Sequence, residues 1–205
     1  LELSCVTEGH AKYIIGSRKY DLQKGDVIII NNTEPHALDL NGINSFHHLV
    51  IHFDPSFIWN SLSNDLDYNF LLIFFERGPN FSNVLDRENP ATKRIFSLFI
   101  DMLEEFKTQK LCYELILKIK LQTIFTEIIR NYDYIKRGKV VKPLSGDDIL
   151  HLNAVIQYIS NNLDSDLRLS DLADMVHLSP SYFSTMFKRF NGVSPVVYIM
   201  QKRIQ

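Results

Sequence analysis

The chain has 205 residues, of which 45% are hydrophobic, and its formal net charge is −2. That length accommodates one large domain and a smaller one. No apolar run in the sequence is long and uncharged enough to span a bilayer. We therefore expect a cytoplasmic protein without a membrane partner. The slight negative charge argues weakly against nucleic acid as a partner, because groove binding depends on local rather than total charge.

The first fifty residues predict a compact β-structure. Five runs rich in β-branched and aromatic residues predict short strands at 3–6, 12–15, 19–22, 27–30 and 46–53. Turn signals separate them at 8–9, 16–17, 24–26 and 31–35. Many short strands with close turns are typical of a barrel or a sandwich. The order LQKGDVIIINNTEPH, which ends at His36, resembles the second half of a cupin barrel.

Histidines are concentrated in this region, at His36, His47, His48 and His52. On a strand, His48 and His52 share one face with Phe46 and Val50, and His47 points to the other. A metal site stays open as an alternative, because neutral imidazoles could meet inside a barrel. The His-x-His pair typical of cupin metal sites is absent from the sequence, so we assign no metal and no cofactor. A small-molecule pocket and a packed barrel with hydrogen-bonded histidines are weighted equally.

The middle of the chain predicts an antiparallel helical hairpin. Pro90 opens a helix after Asn89, and a short break at 108–109 precedes a second helical run. The apolar stripes are Ile95, Phe96, Phe99, Met102, Leu103 and Phe106, then Leu115, Ile119, Gln122, Phe125, Ile128 and Ile129. Their breadth favours a homodimer through the helices of 90–134, although they could simply cover the barrel wall.

A charged segment with glycine and proline, 135–148, predicts a linker between a domain at 1–134 and another at 149–205. Beyond it, apolar residues at helical spacing predict a helix over roughly 150–163. The stretch 169–198 then predicts two short helices joined by a tight turn, followed by the start of a third. Ser170 can cap the first, and Ser179-Pro180 can start the second.

The second of these short helices combines an apolar stripe with a small polar face. The stripe comprises Tyr182, Phe183, Met186, Phe187 and Phe190, and the residues predicted to face outward are Ser181, Ser184, Thr185, Lys188 and Arg189. Short polar side chains can meet base edges, and cations can meet phosphates. This pattern matches a helix-turn-helix. The alternative is an ordinary three-helix bundle with a polar surface.

The landmarks LADMVHLSPSYFSTMFKRFNGVSPVVYI, with Gly192 where a helix ends, resemble the first helix-turn-helix of the arabinose-regulator (AraC) family of bacterial transcription factors. A cupin-like barrel is the usual N-terminal partner of that domain. The resemblance implies an α+β chain, with a cupin-like β-barrel, an antiparallel helical hairpin and an all-α helix-turn-helix subdomain. It implies a ligand-responsive, sequence-specific regulator of double-stranded DNA, not an enzyme. The DNA-binding residues would be Ser179, Ser181, Tyr182, Ser184, Thr185, Lys188 and Arg189.

The same resemblance implies a pocket for a small-molecule effector in the barrel. It falls at Glu8, His36, Leu38, His48 and Val50. The Arg and Trp that would grip and stack on a sugar in the arabinose-binding pattern are Glu8 and Val50 here, which argues against arabinose. An anionic effector is disfavoured beside Glu8 unless His48 is protonated.

The family's DNA-binding domain normally has two helix-turn-helix units, whereas this chain ends at Gln205 within the connecting helix. We therefore expect an incomplete domain with weak DNA binding, since affinity falls with each lost phosphate contact. Two rival hypotheses remain open. One is a metal-dependent cupin enzyme, and the other is a sensing and dimerising fragment without DNA binding of its own.

Overall fold

The computed structural model describes residues 1–31, 34–39, 45–53, 55–58, 70, 72–74, 77–134 and 146–204. Within them an antiparallel sheet precedes the helices, a mixed α+β architecture. The strands are β1 (Glu2–Ile15), β2 (Arg18–Gln23), β3 (Val27–Ile30), β4 (His36–Asp39) and β5 (Phe46–His52). The helices are α1 (Pro55–Ile58), α2 (Pro90–Thr108), α3 (Tyr113–Asn131), α4 (Gly146–Asn161), α5 (Leu169–Asp174), α6 (Pro180–Asn191) and α7 (Pro195–Ile204). In the part of the chain that these ranges cover, no helix is long and apolar enough to cross a membrane.

Strand β1 organises the sheet. Its first half pairs with β3 and β5, and its second half pairs with β2 and β4. The sequence predicted two strands here with a turn at Glu8-Gly9, and that prediction was wrong. The chain instead runs on through a register shift between Val6 and Glu8, and Gly9 has a φ of 80°. A bulge with a left-handed glycine bends a strand without ending it.

The sheet separates two hydrophobic cores. Alternate residues of β1, β3 and β5, such as Leu3, Val27 and Leu49, pack on the side of α2 and α3. Their neighbours on the opposite face form a second cluster, called the inner core here: Val6, Tyr13, Ile15, Leu22, Ile28 and Ile30, with Leu38 and Phe46 partly buried against it. Strict alternation of side chains along each strand produces this division.

Helices α2 and α3 form the predicted antiparallel hairpin. Asn89 caps α2 by accepting a hydrogen bond from the Ala91 amide, and the ion pair of Arg94 with Glu127 at 2.7 Å joins the two helices. The predicted apolar stripe of α3 is only partly buried, since Leu115 and Ile119 near the loop are 56% and 48% exposed. Apolar residues occur on more than one face of α3, and tertiary packing selects the face with Leu121, Ile124, Phe125 and Ile128 for burial.

Helices α4 to α7 surround a separate core. Its buried residues include Leu152, Val155 and Ile159 from α4 and Phe183, Phe187 and Phe190 from α6. Helix α4 begins at Gly146, within the predicted linker, and residues 135–145 of that linker lie outside the described residues.

The two predicted helix caps of this subdomain had different outcomes. The expected cap at Ser170 was wrong, because α5 already begins at Leu169 and the Ser170 hydroxyl donates to the Asp171 carboxylate at 3.1 Å. The cap at Ser179 is confirmed, since its hydroxyl oxygen accepts from the Tyr182 amide at 3.3 Å.

Candidate effector site and DNA-reading surface

A buried carboxylate lies at one end of the inner face of the sheet. The Glu2 side chain is only 9% exposed, and its Oε2 lies 2.8 Å from His52 Nε2 and 3.5 Å from His36 Nε2. The bond to His52 spans the pairing of β1 with β5, where Glu2 and His52 are direct partners. The sheet thus places a hydrogen-bond acceptor between two imidazoles.

Three further polar groups lie close to this carboxylate. Ser4 follows Glu2 on the same face and is fully buried, and its Oγ has no hydrogen-bond partner among the described residues. Burial and the negative charge of Glu2 raise the pKa of Tyr13 to about 12, so its phenol keeps its proton. Burial lowers the pKa of His48 below its usual 6.5, which the charge of Glu2 partly offsets. His48 is consequently a neutral imidazole at pH 7.

The structure brings together most, but not all, of the predicted pocket residues. His36 and His48 belong to the group around Glu2, Val50 pairs with Ser4, and Leu38 packs against the inner core. Glu8 does not join them. It lies beyond the β1 bulge, and its Oε2 lies 3.3 Å from His47 Nδ1, with both side chains about two-thirds exposed. The bulge exchanges the faces of β1, which is why a residue expected inside lies outside.

Sequence reasoning missed Glu2 and Ser4 and noted His52 without assigning it to the pocket. A signal was present, because Glu2, Ser4 and Val6 alternate with the apolar Leu3 and Cys5, as expected for a strand with two different faces. Among the described residues, no group of three or more His, Cys, Asp or Glu side chains could hold a metal ion.

A concave feature lies beside β5, against the hairpin. It is an open cavity of about 700 Å³. Its lining is almost entirely apolar: Leu49, Val50, Ile51, His52, Phe53, Phe57, Met102, Leu103, Phe106, Leu117 and Leu121. That volume falls in the range of small-molecule sites, and the chemistry of the lining is opposite to that around Glu2.

Helix α6 presents the predicted DNA-reading residues on one surface. Ser179 is its cap, and Ser181, Thr185 and Lys188 are exposed, with Ser184 and Arg189 half-buried. Tyr182, predicted to belong to the apolar stripe, is 51% exposed and therefore lies on this surface as well. Phe183, Met186, Phe187 and Phe190 form the apolar buried face, as a helix of this period requires, and Asn191 at the end of the helix is buried as well.

The turn before α6 and the cap after it fix the direction of this surface. The Leu178 amide donates to the Ala173 carbonyl at 3.0 Å, and His177 takes a left-handed conformation with φ 55°. At the other end Gly192 has φ 79°, and its amide donates to the Lys188 carbonyl at 2.8 Å. This confirms the helix end at Gly192, where the left-handed conformation favours glycine.

Two family models match the chain in the order that the fold suggests. The model of the AraC-like ligand binding domain matches residues 1–119, more than half of the chain. The model of bacterial regulatory helix-turn-helix proteins of the AraC family matches residues 159–200. The chain belongs to the AraC family. This AraC-family chain carries the sheet with the Glu2 group in the first match and all of α6 in the second.

Two regulatory proteins and one solved structure are similar to this chain. The Msm operon regulatory protein of Streptococcus mutans is 21% identical over 201 residues, which cover 98% of this chain and 66% of that protein. Regulatory protein PocR of Salmonella typhimurium is 38% identical over 53 residues, 26% of this chain and 18% of its own length. The chain thus spans less than two thirds of either relative. The crystal structure of the AraC-like transcriptional activator CuxR matches 99% of this chain and 65% of its own, at 12% identity and a TM-score of 0.46.

Proposed function

We propose that the chain is part of a ligand-responsive, sequence-specific transcription regulator that works in the bacterial cytoplasm and has no enzymatic role. Residues 1–134 would sense the effector and dimerise, 135–148 would link, and 149–205 would read DNA. The observation that carries the proposal is the outward surface of α6, where small polar residues precede two cations on a helix that begins immediately after a tight turn. Such a helix can enter the major groove.

DNA binding is tested by titrating this chain, and the full product of its gene, against selected and random duplexes over a range of salt. Lys188→Gln should weaken binding to every sequence and reduce the salt slope by about 0.9, the contribution of one phosphate contact. Lys110→Gln removes the same charge from the exposed loop between α2 and α3 and serves as the matched control. No specific binding by either protein, or equal effects of the two variants, would contradict the proposal.

We propose that the effector is a small, neutral, polyhydroxylated molecule bound beside Glu2. The buried carboxylate accepts hydrogen bonds, the protonated Tyr13 phenol can donate one, and the unpartnered Ser4 hydroxyl can do either. A buried negative charge disfavours anions. This arrangement supports hydroxyl recognition, and it replaces the role that sequence reasoning gave to Glu8.

The effector proposal is tested by thermal unfolding with a panel of neutral polyols and matched carboxylic acids. We expect the stabilising compounds to be polyols. Ser4→Ala should weaken their binding about tenfold, the value for a lost hydrogen bond of ~1.4 kcal/mol. Thr7→Ala removes a hydroxyl of the same strand that already donates to the His47 carbonyl, at the β1 bulge, and it should leave binding unchanged. A panel in which only acids stabilise the protein would contradict the proposal.

The apolar cavity beside α2 and α3 supports a second candidate, an apolar effector. Its lining offers almost no hydrogen-bonding groups, so the compounds it would select differ from those expected at Glu2. Phe106→Ser, at the exposed rim of the cavity, should weaken the binding of an apolar ligand and leave the binding of a polyol unchanged. Ser4→Ala should have the reverse effect, so the two variants separate the two sites.

A further inference from the structure

The Thr185 hydroxyl on the DNA-reading surface of α6 already has a partner. Its Oγ1 donates to the Ser181 carbonyl oxygen, one turn earlier, at 3.0 Å. A threonine bonded in this way has a preferred side-chain rotamer. The hydroxyl proton is then directed at the helix backbone, and the γ-methyl is the group left for contact with a partner.

Other residues of α6 make this surface unusual for a base-reading helix. Tyr182 lies three residues before Thr185 and is half exposed, so its ring adjoins the same part of the surface. The long side chains that form paired hydrogen bonds with guanine or adenine are missing from the exposed positions before Lys188. The side-chain amide of Asn191 is buried and donates to the Phe187 carbonyl, so Asn191 is not such a base-reading side chain.

We propose that Thr185 is a specificity-determining residue that recognises an A·T pair through the C5-methyl group of its thymine, with the Tyr182 ring completing the apolar contact. In the major groove that methyl group distinguishes thymine from the other bases, and a threonine methyl is one of the groups that contact it. The inference rests on the proposed DNA-binding function. It goes further by naming the base pair and the contacting group.

The experiment begins with selection of duplexes from a random library by this chain and by the full product of its gene. Each thymine of the selected sequence is then replaced by deoxyuridine, one at a time. This replacement removes only the C5-methyl group. We expect one thymine to respond, with affinity falling about fourfold, the value for ~0.8 kcal/mol of methyl burial. Uniform tolerance of uracil would overturn the inference while leaving DNA binding intact.

Two variants of Thr185 identify the protein side of the contact. Thr185→Ser keeps the hydroxyl and loses the methyl, so it should bind the thymine duplex about fourfold more weakly and lose nothing further on the uracil duplex. Thr185→Val keeps a methyl and loses the hydroxyl, so it should retain the preference for thymine over uracil. If the losses from Thr185→Ser and from uracil instead multiply to about sixteenfold, the two groups do not touch.

Failure at the selection step has a different meaning. A library that shows no enriched sequence with either protein overturns the proposed DNA-binding function, and the inference falls with it. Enrichment without a uracil-sensitive thymine overturns only the role of Thr185. The two failures are therefore distinguishable within one experiment.

Discussion

Gly9 is the residue on which the course of β1 depends. Its φ is 80°, and a β-carbon built on it would lie 2.2 Å from the carbonyl oxygen of Ser45. The contact is with backbone and not with the end of a flexible side chain, so a substitution requires the chain before β5 to move. The same bend places Glu8 outside and Tyr13 inside.

We expect Gly9→Ala to lower the free energy of unfolding by about 3 kcal/mol, since a left-handed alanine and an overpacked contact both contribute. Gly16→Ala is the control, because Gly16 has φ 59° and nothing lies within 4 Å of its added β-carbon. Gly16→Ala should lower the free energy of unfolding by only about 1 kcal/mol, because only the left-handed backbone conformation of the alanine is unfavourable there. Urea unfolding followed by circular dichroism measures both, and equal losses would show that the contact with Ser45 is unimportant.

At the scale of the element, the start of α6 is set by one side chain. Ser179 accepts from the Tyr182 amide, and Pro180 occupies the first helical position, where no amide hydrogen is needed. The start of α5 uses no side-chain cap, even though serine follows its first residue. The difference lies in backbone conformation, because Ser179 is extended and Ser170 is already helical.

Ser179→Ala should therefore lower the free energy of unfolding of the α4–α7 subdomain by about 1 kcal/mol. Ser170→Ala removes a serine hydroxyl from the neighbouring helix α5, and it should change the free energy of unfolding by less than ~0.5 kcal/mol. Urea titration of both variants against the parent chain decides the point. A larger loss from Ser170→Ala would show that the α5 cap has been assigned wrongly.

At the scale of the whole molecule, the exposed part of α3 supports the proposed homodimer. Leu115 and Ile119 lie four residues apart on α3 and are 56% and 48% exposed, and Leu111, in the turn just before the helix, is 94% exposed. Residues four apart on a helix share one face. A continuous apolar stripe on a folded domain is typical of an interaction surface, and a self-complementary helix face suits a two-fold dimer.

Leu115→Glu should convert the dimer to a monomer, because each copy would bury a carboxylate in the proposed interface. Ser97→Glu adds the same charge at an exposed position of α2 and should leave the dimer intact. Sedimentation velocity at several concentrations measures the association, and circular dichroism checks that both variants stay folded. A parent chain that is monomeric throughout would contradict the proposal.

Much of the architecture followed from local pattern. The hairpin, the cap at Ser179, the left-handed end at Gly192 and the alternation of His48 with Leu49 were all predictable. Each depends on residues within one or two turns of helix or on strand period alone. The α6 surface was predictable for the same reason, apart from Tyr182, which has both a polar and an apolar part.

The Glu2 group, the outward position of Glu8 and the exposure of Leu115 depended on tertiary structure. Glu2 meets His52 only because β1 and β5 pair in one register, and Glu8 lies outside only because a bulge intervenes. Leu115 is exposed because α2 and the sheet pack against a different face of α3. Sequence by itself determined periodicity, turns and caps, which are local. Strand register and the choice of buried face are set by contacts between segments distant in the chain, and so only the folded structure decided them.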